Sequence, residues 1–243
     1  MGPKVFTTCR LLAAAGVAAA SLHLPAQAYV LIDDFGSGGF DQTLAITGHT
    51  PWVGYQSGTM IGGWREVVVE TFEAPAAGDT RVGVGSDGTL AVSSAADVAH
   101  LVAETYGKTP AGNAPLGLDL SAEDRIRVRF SDNQSPFDQL NFVITLHDRA
   151  LSYLQIGINV PDSALPVDVD FRFADGAIAL QPGAAAFDFA HVDYITLQAQ
   201  GAQSWGIDSI AAVPEPGVWL LLLAGLGAVG WVSSRRGPAR ASV

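Results

Sequence analysis

The chain is almost free of cysteine. Cys9 is the only one in 243 residues, so everything after it must hold its fold without disulfides and do any chemistry without a thiol. Basic side chains are scarce too: 13 Lys and Arg stand against 24 Asp and Glu, for a net charge of −11. Such a surface repels nucleic-acid phosphates and anionic lipid headgroups, so no nucleic-acid partner is expected. Helical periodicity is missing as well; the one stretch that hints at it, residues 95–104, reads equally well as a strand. The sequence has no Gly-x-Ser-x-Gly elbow and no His-Glu-x-x-His. Gly83-Val84-Gly85-Ser86-Asp87-Gly88 has the spacing of a dinucleotide loop, but Thr89-Leu90-Ala91-Val92 after it reads as strand. A pyrophosphate would need a helix N-terminus there, so a glycine-rich hairpin turn is the expectation. His49, His100, His147 and His191 are scattered and form no motif. These absences point away from an enzyme. They leave open one class without a linear signature, a surface glycoside hydrolase, whose two carboxylates are defined by separation in space.

Long apolar runs occur only at the two ends. Lys4 and Arg10 precede an alanine-rich apolar run from Leu11 to Leu22, and Pro25-Ala26-Gln27-Ala28 follows. This is the build of a secretory signal peptide of residues 1–28, with Ala26 and Ala28 forming the Ala-x-Ala site for signal peptidase and Tyr29 beginning the mature chain. At the other end, Pro214-Glu215-Pro216-Gly217 runs into an apolar stretch from Val218 to Val232, closed by Arg235 and Arg236. That length approaches the ~20 residues of a membrane-spanning helix, here about residues 217–234. The terminal arginines favour a cytoplasmic end, so the body before Pro214 faces outward.

Val213-Pro214-Glu215-Pro216-Gly217, then Trp219 to Gly227, then Arg235-Arg236 resemble the PEP-CTERM sorting signal found on exported proteins of Gram-negative, exopolysaccharide-producing bacteria. The resemblance implies recognition of the tail 214–243 by an exosortase, a membrane transpeptidase-like enzyme that removes it. The protein would be anchored in the membrane until processed, then reach the cell surface or extracellular matrix.

Between the two segments lie residues 29–213, one domain with no cysteine, long enough for a core of its own. It holds eight basic and twenty-three acidic side chains, a net charge of about −15. Its dominant period is two. Arg125 to Phe130 and Val167 to Phe173 alternate without a fault, and so do Gln139 to His147, Ser152 to Val160 and Tyr194 to Gln198. Alternation of this kind predicts antiparallel strands with one face on a core and one in water. Turn clusters such as Gly85 to Gly88 and Ser131 to Pro136 separate them. The expected class is all-β: an antiparallel β-sandwich of jelly-roll type.

The order of these pieces resembles galactose-binding-like jelly rolls, the fold of many carbohydrate-binding modules. Leu31-Ile32-Asp33-Asp34-Phe35 opens the body, and Trp205-Gly206-Ile207-Asp208-Ser209-Ile210 closes it. That resemblance implies a structural calcium where the first and last strands meet, with Asp34 and Asp208 as the nearest equivalents of its ligands. Calcium needs several hard oxygens in one place, and no Asp-x-Asp-x-Asp-Gly loop is present. The alternative is that these aspartates solvate strand ends.

Arg125, Arg127 and Arg129 share one face of one strand. Stacked like charges require a counter-charge or a ligand nearby. If the strand carrying Tyr153, Gln155 and Asn159, together with His147, adjoins them, guanidinium forks, amides and rings combine into a site for acidic sugars. In the alternative, the arginines pair across the sheet with Asp168 and Asp170. Trp52 and Trp64 lie in a glycine-rich segment, residues 48–63, expected as a long loop that offers either a sugar-stacking platform or a buried anchor. The expected protein is an exported, exosortase-sorted surface or matrix component, non-catalytic and associated with exopolysaccharide or biofilm. The alternatives are a carbohydrate-binding module with its site on the polar strand face, and a surface glycoside hydrolase.

Overall fold

A computed structural model describes residues 29–45, 51–71, 79–94, 98–134 and 140–214. The expected leader (1–28) and spanning segment (217–234) lie outside these residues. Among the described residues no helix is long and apolar enough to cross a membrane. The strands run in order β1 (Val30–Asp33), β2 (Phe40–Ala45), β3 (Trp52–Ser57), β4 (Trp64–Thr71), β5 (Asp79–Val84), β6 (Leu90–Ser94), β7 (Ala99–Tyr106) and β8 (Lys108–Thr109). They continue with β9 (Gly112–Asn113), β10 (Glu123–Asn133), β11 (Leu140–Asp148), β12 (Tyr153–Val160), β13 (Val167–Arg172), β14 (Ala177–Ala179), β15 (Val192–Ala202) and β16 (Trp205–Pro214).

Two seven-stranded sheets stack face to face. The first has the order β13-β10-β16-β6-β5-β2, with β1 also paired to β16; the second has the order β14-β12-β11-β15-β7-β4-β3. A small β8–β9 hairpin stands apart. All pairings are antiparallel. The architecture is the all-β antiparallel sandwich that the period-two pattern predicts. The first and last strands do meet, with Val30 opposite Ala212 and Leu31 opposite Ala211.

Alternation is converted directly into layers. On β10, Ile126, Val128 and Phe130 are fully buried, whereas Arg127 and Arg129 on the other side reach solvent. Phe142 of β11 meets Phe130 edge-on at 5.4 Å and Phe171 of β13 at 5.4 Å, which knits the two sheets together. Burying each such ring is worth about 2–3 kcal/mol, with about 1 kcal/mol more for the ring geometry. The turn between β5 and β6 needs Gly88 at φ +75°, where a side chain would be strained. The Gly83–Gly88 run is therefore a hairpin turn, as expected.

Two expectations change. Residues 99–106 are strand, which resolves the ambiguous 95–104 stretch for its described part. The 48–63 segment is not one long loop: Trp52 opens β3, Trp64 opens β4, and only residues 58–63 turn between them. Gly62 and Gly63 adopt φ of +72° and +73°, so a tight turn forms where glycine content alone suggests a slack one. Trp52 stacks on Phe40 at 5.7 Å and lies across Gly54. Trp205 is buried in the core.

The core also holds charge. Arg65, inward on β4 and fully buried, donates from Nη1 to Asp33 Oδ2 at 2.6 Å, and its guanidinium stacks on Phe35. The Tyr106 hydroxyl donates to the same carboxylate oxygen at 2.9 Å. Glu104 sits 3.7 Å from Arg65 Nε, and among the described residues neither of its oxygens forms a hydrogen bond. Desolvation pushes its carboxyl up to about 8 against the opposing pull of Arg65, and the Asp33 charge adds to the rise. At neutral pH the cluster is thus one ion pair and a neutral acid, the arrangement that buries least net charge. Nearby, the Trp205 indole N–H donates to His100 Nε2 at 3.0 Å, which requires an unprotonated nitrogen; burial lowers that imidazole to about 4.

Candidate functional site

The arginines and the amides of the expected composite face lie on different sheets. Arg125, Arg127 and Arg129 point outward from β10 in the first sheet, whereas Tyr153, Gln155 and Asn159 point outward from β12 in the second. The core separates the two outer faces, so the combined acidic-sugar face is not formed. Strand alternation says which residues share a side of one strand, not which strands share a sheet.

On the first sheet, antiparallel register sets Asp170 opposite Arg127 and Asp168 opposite Arg129. Arg127 donates from Nε and Nη2 to the two oxygens of Asp170 at 2.7 and 3.0 Å, and Arg125 Nη1 reaches the same carboxylate at 3.0 Å. Arg125 also forks onto Asp124. The Arg127 and Arg125 hydrogen bonds hold the Asp170 carboxyl below the usual carboxylate range. Arg129 is held more loosely. Nη1 is 3.5 Å from Asp168, Nε is 3.7 Å from Asp208, and half the side chain is exposed. Cross-strand pairing therefore accounts for Arg125 and Arg127 and only weakly for Arg129.

The aspartates of the implied calcium site are engaged elsewhere. Asp34 accepts the Gly36 N–H at 3.0 Å, and Asp208 accepts the Thr89 hydroxyl at 3.1 Å while its other oxygen faces Arg129. Among the described residues no three His, Cys, Asp or Glu side chains gather to hold a metal ion. A cation at Asp208 would also meet the Arg129 guanidinium, so the donor set does not fit calcium.

The outer face of the second sheet is different in kind. Register aligns one row across six strands: Gln155 opposite Thr145, Thr145 opposite Thr196, Thr196 opposite Thr105, Thr105 opposite Glu66, and Glu66 opposite Tyr55. At ~4.8 Å per strand the row extends about 24 Å. Along it, Gln155 donates to Thr145 at 3.4 Å, the Thr105 and Thr196 hydroxyls are 3.3 Å apart, and Tyr55 donates to Glu66 at 2.7 Å. Lys108 closes on the other Glu66 oxygen at 2.9 Å.

Beside this row runs an aromatic one. Tyr153 lies opposite His147, their rings 5.9 Å apart, and His147 lies opposite Tyr194. Burial holds His147 below the ordinary imidazole value. The Tyr194 ring lies against Gly107, where a Cβ would meet it at 2.8 Å and the Asp193 carbonyl at 2.4 Å. Asn141 and Asn159 pair at 3.1 Å farther along the face, with Gln200 opposite Asn141. The face thus gathers amides, hydroxyls and rings with little free charge. Tyr153, Gln155 and Asn159 belong to it, as the sequence suggests. Thr145, Thr196 and Tyr194 join through register from strands whose alternation the sequence shows, whereas Tyr55 comes from the segment expected as a loop and Glu66 and Thr105 from stretches without such a pattern.

At the chain's C-terminal side, Pro214 ends β16 opposite Glu123, and Tyr29 is exposed just before β1. Ala26, Ala28, Glu215, Pro216, Arg235 and Arg236 lie outside the described residues. Residues 212–236 match the PEP-CTERM protein-sorting motif. That motif implies exosortase processing of a secreted, membrane-processed protein. Comparison with curated proteins yields no match. Among solved structures, the chain is similar to the family 11 carbohydrate-binding module of the cellulosomal cellulase Lic26A-Cel5E of Clostridium thermocellum, at 13% identity and TM-score 0.38, over 77% of this chain and 95% of that one. It is also similar to TmCBM61 in complex with beta-1,4-galactotriose, at 8% identity and TM-score 0.29, over 74% and 92%. A third similarity is to a metagenome-derived glycoside hydrolase family 12 endoglucanase, at 11% identity and TM-score 0.33, over 72% and 99%. At these TM-scores none of the three carries a functional argument.

Proposed function

We propose that this is an exported, exosortase-sorted cell-surface or matrix protein that binds uncharged glycan through the outer face of its second sheet, without catalysis, within the exopolysaccharide of a biofilm. The observation that carries the reading is the Gln155–Thr145–Thr196–Thr105–Glu66–Tyr55 row flanked by Tyr153, His147 and Tyr194, in which Gln155, Tyr55 and Tyr153 are exposed to a ligand while Thr145, Thr105 and Glu66 are nearly buried and hold the row in place. Sugar hydroxyls both donate and accept, and so do threonine hydroxyls and glutamine amides. Rings cover the apolar faces of pyranoses. A row about 24 Å long suits several consecutive sugar units rather than one. The sorting motif supports an outward-facing destination for such a face.

Hydrolysis is not favoured by the same geometry. Glu66 and Glu70 are the carboxylates that β4 turns outward. Four residues of strand separate them by about 13 Å, beyond the ~6.5–9.5 Å across which a carboxylate pair activates water on a sugar. The experiment is affinity electrophoresis of the exported protein through gels containing the polysaccharide secreted by the producing cells or neutral galactans and glucans. Tyr153→Ala and Gln155→Ala should each weaken retention by about tenfold, the loss of one ring contact or one amide hydrogen bond. Retention by no neutral glycan, or retention indifferent to both substitutions, would refute the reading.

A further inference from the structure

The outer face of the first sheet carries a groove of about 380 Å³ beside β16, on the side of the molecule opposite the face just described. Its volume falls within the ~300–1,000 Å³ of small-ligand sites. We infer that this groove binds an acidic sugar unit of a polysaccharide, with Arg129 as the group that takes its carboxylate. The inference is independent of the neutral-glycan face.

Six of its seven lining residues have a matching part to play. Arg129 is half exposed, and its two contacts with carboxylates, at 3.5 and 3.7 Å, are too long for strong hydrogen bonds. Its fork is therefore available to an incoming carboxylate, for which bidentate geometry is the strongest arrangement. Arg127 beside it places Nε and Nη2 on Asp170 and leaves Nη1 outside that pair. A second cation thus borders the groove without competing for the same ligand atoms. Among the described residues Asp168 accepts one long hydrogen bond, from Arg129, and it stands in the wall. A carboxylate there repels a simple anion but accepts hydrogen bonds from a pair of sugar hydroxyls, so the groove selects a sugar acid over a bare anion. Ser209 offers a further hydroxyl. The floor at Ala211 is small, with Arg127 of β10 and Leu31 of β1 opposite it on either side. Tyr29, 60% exposed, borders the groove and offers the apolar face of a pyranose a ring. No other arginine trio occurs in a body that carries about −15, so nonspecific attraction does not explain retention of an acidic polymer here.

The test is affinity electrophoresis of the exported protein in polygalacturonate, with an uncharged galactan of the same length as reference. Polygalacturonate should retard the protein more than the galactan does, and raising salt from about 0.05 to 0.3 M should weaken that preference. Arg129→Ala should reduce polygalacturonate retention by about tenfold or more, Arg129→Lys by less. Ala211→Glu, which sets a carboxylate on the groove floor, should abolish it and keeps the inference testable if Arg129→Ala folds poorly. Retention by the uncharged galactan should persist in Arg129→Ala while the preference for polygalacturonate is lost, which separates failure here from failure of the neutral-glycan reading. Equal retardation by both polymers, or an intact preference in Arg129→Ala, overturns the inference. So does full displacement by acetate at matched carboxylate concentration, which would reassign the groove to small carboxylates.

Discussion

Replacing Glu104 by Gln should change how the protein responds to pH. Glu104 is buried between the sheets, its oxygens lack a well-formed hydrogen bond among the described residues, and it is pushed from an ordinary 4.5 up to about 8. A group whose folded pKa is raised binds more protons folded than unfolded between the two values, so stability falls as pH rises from about 4.5 to 8. His100 acts in the opposite sense. Lowered from 6.5 to about 4, it is charged only when unfolded across that window, so stability rises with pH between about 4 and 6.5. The two slopes cancel below pH 6.5, and only the Glu104 loss remains above it. At about 1.4 kcal/mol per pH unit, the wild type should lose roughly 2 kcal/mol between pH 6.5 and 8. For a domain of this size that is a fall of roughly 4–8 °C in Tm. Glu104→Gln keeps the shape and the neutral state, so its Tm should be flat from pH 6.5 to 8 and exceed the wild type's at the upper end. Urea or thermal unfolding of both proteins across pH 4 to 8.5 measures this. Parallel curves for the two proteins would mean that Glu104 is ionised in the folded state, and the desolvation reasoning would fail.

Gly107→Ala should destabilise the domain by roughly 2–4 kcal/mol, because φ is +97° and the added methyl would meet the Asp193 carbonyl at 2.4 Å. It should also displace the Tyr194 ring and weaken retention on neutral glycan, read from denaturant unfolding and the same affinity gels. Replacing Pro214, Glu215 and Pro216 together by alanine should leave the chain uncleaved in the membrane fraction; fractionation and intact-mass measurement of the product check this. Normal release of the body would sever the sorting motif from processing.

The alternation of Arg125 to Phe130 was sufficient to give β10 its buried and wet faces, since side chains in a strand alternate whatever the strand pairs with. The same local rule placed Tyr153, Gln155 and Asn159 outward from β12. The tail was legible because a sorting signal is read as a linear string. The 58–63 turn was harder, since glycine content does not reveal whether a segment turns tightly until Gly62 and Gly63 take positive φ.

What the residues alone determined, then, was the class of fold, the wet side of each strand, the absence of disulfides and the sorting tail. Only the tertiary structure decided which strands became neighbours. It put the arginines and the amides on opposite faces, turned Arg65 and Glu104 into the core, and drew a six-strand row from residues far apart in the chain. The physical reason is that outward or inward direction is a period-two property of a single strand, whereas pairing and register are set by packing between segments that the sequence keeps far apart.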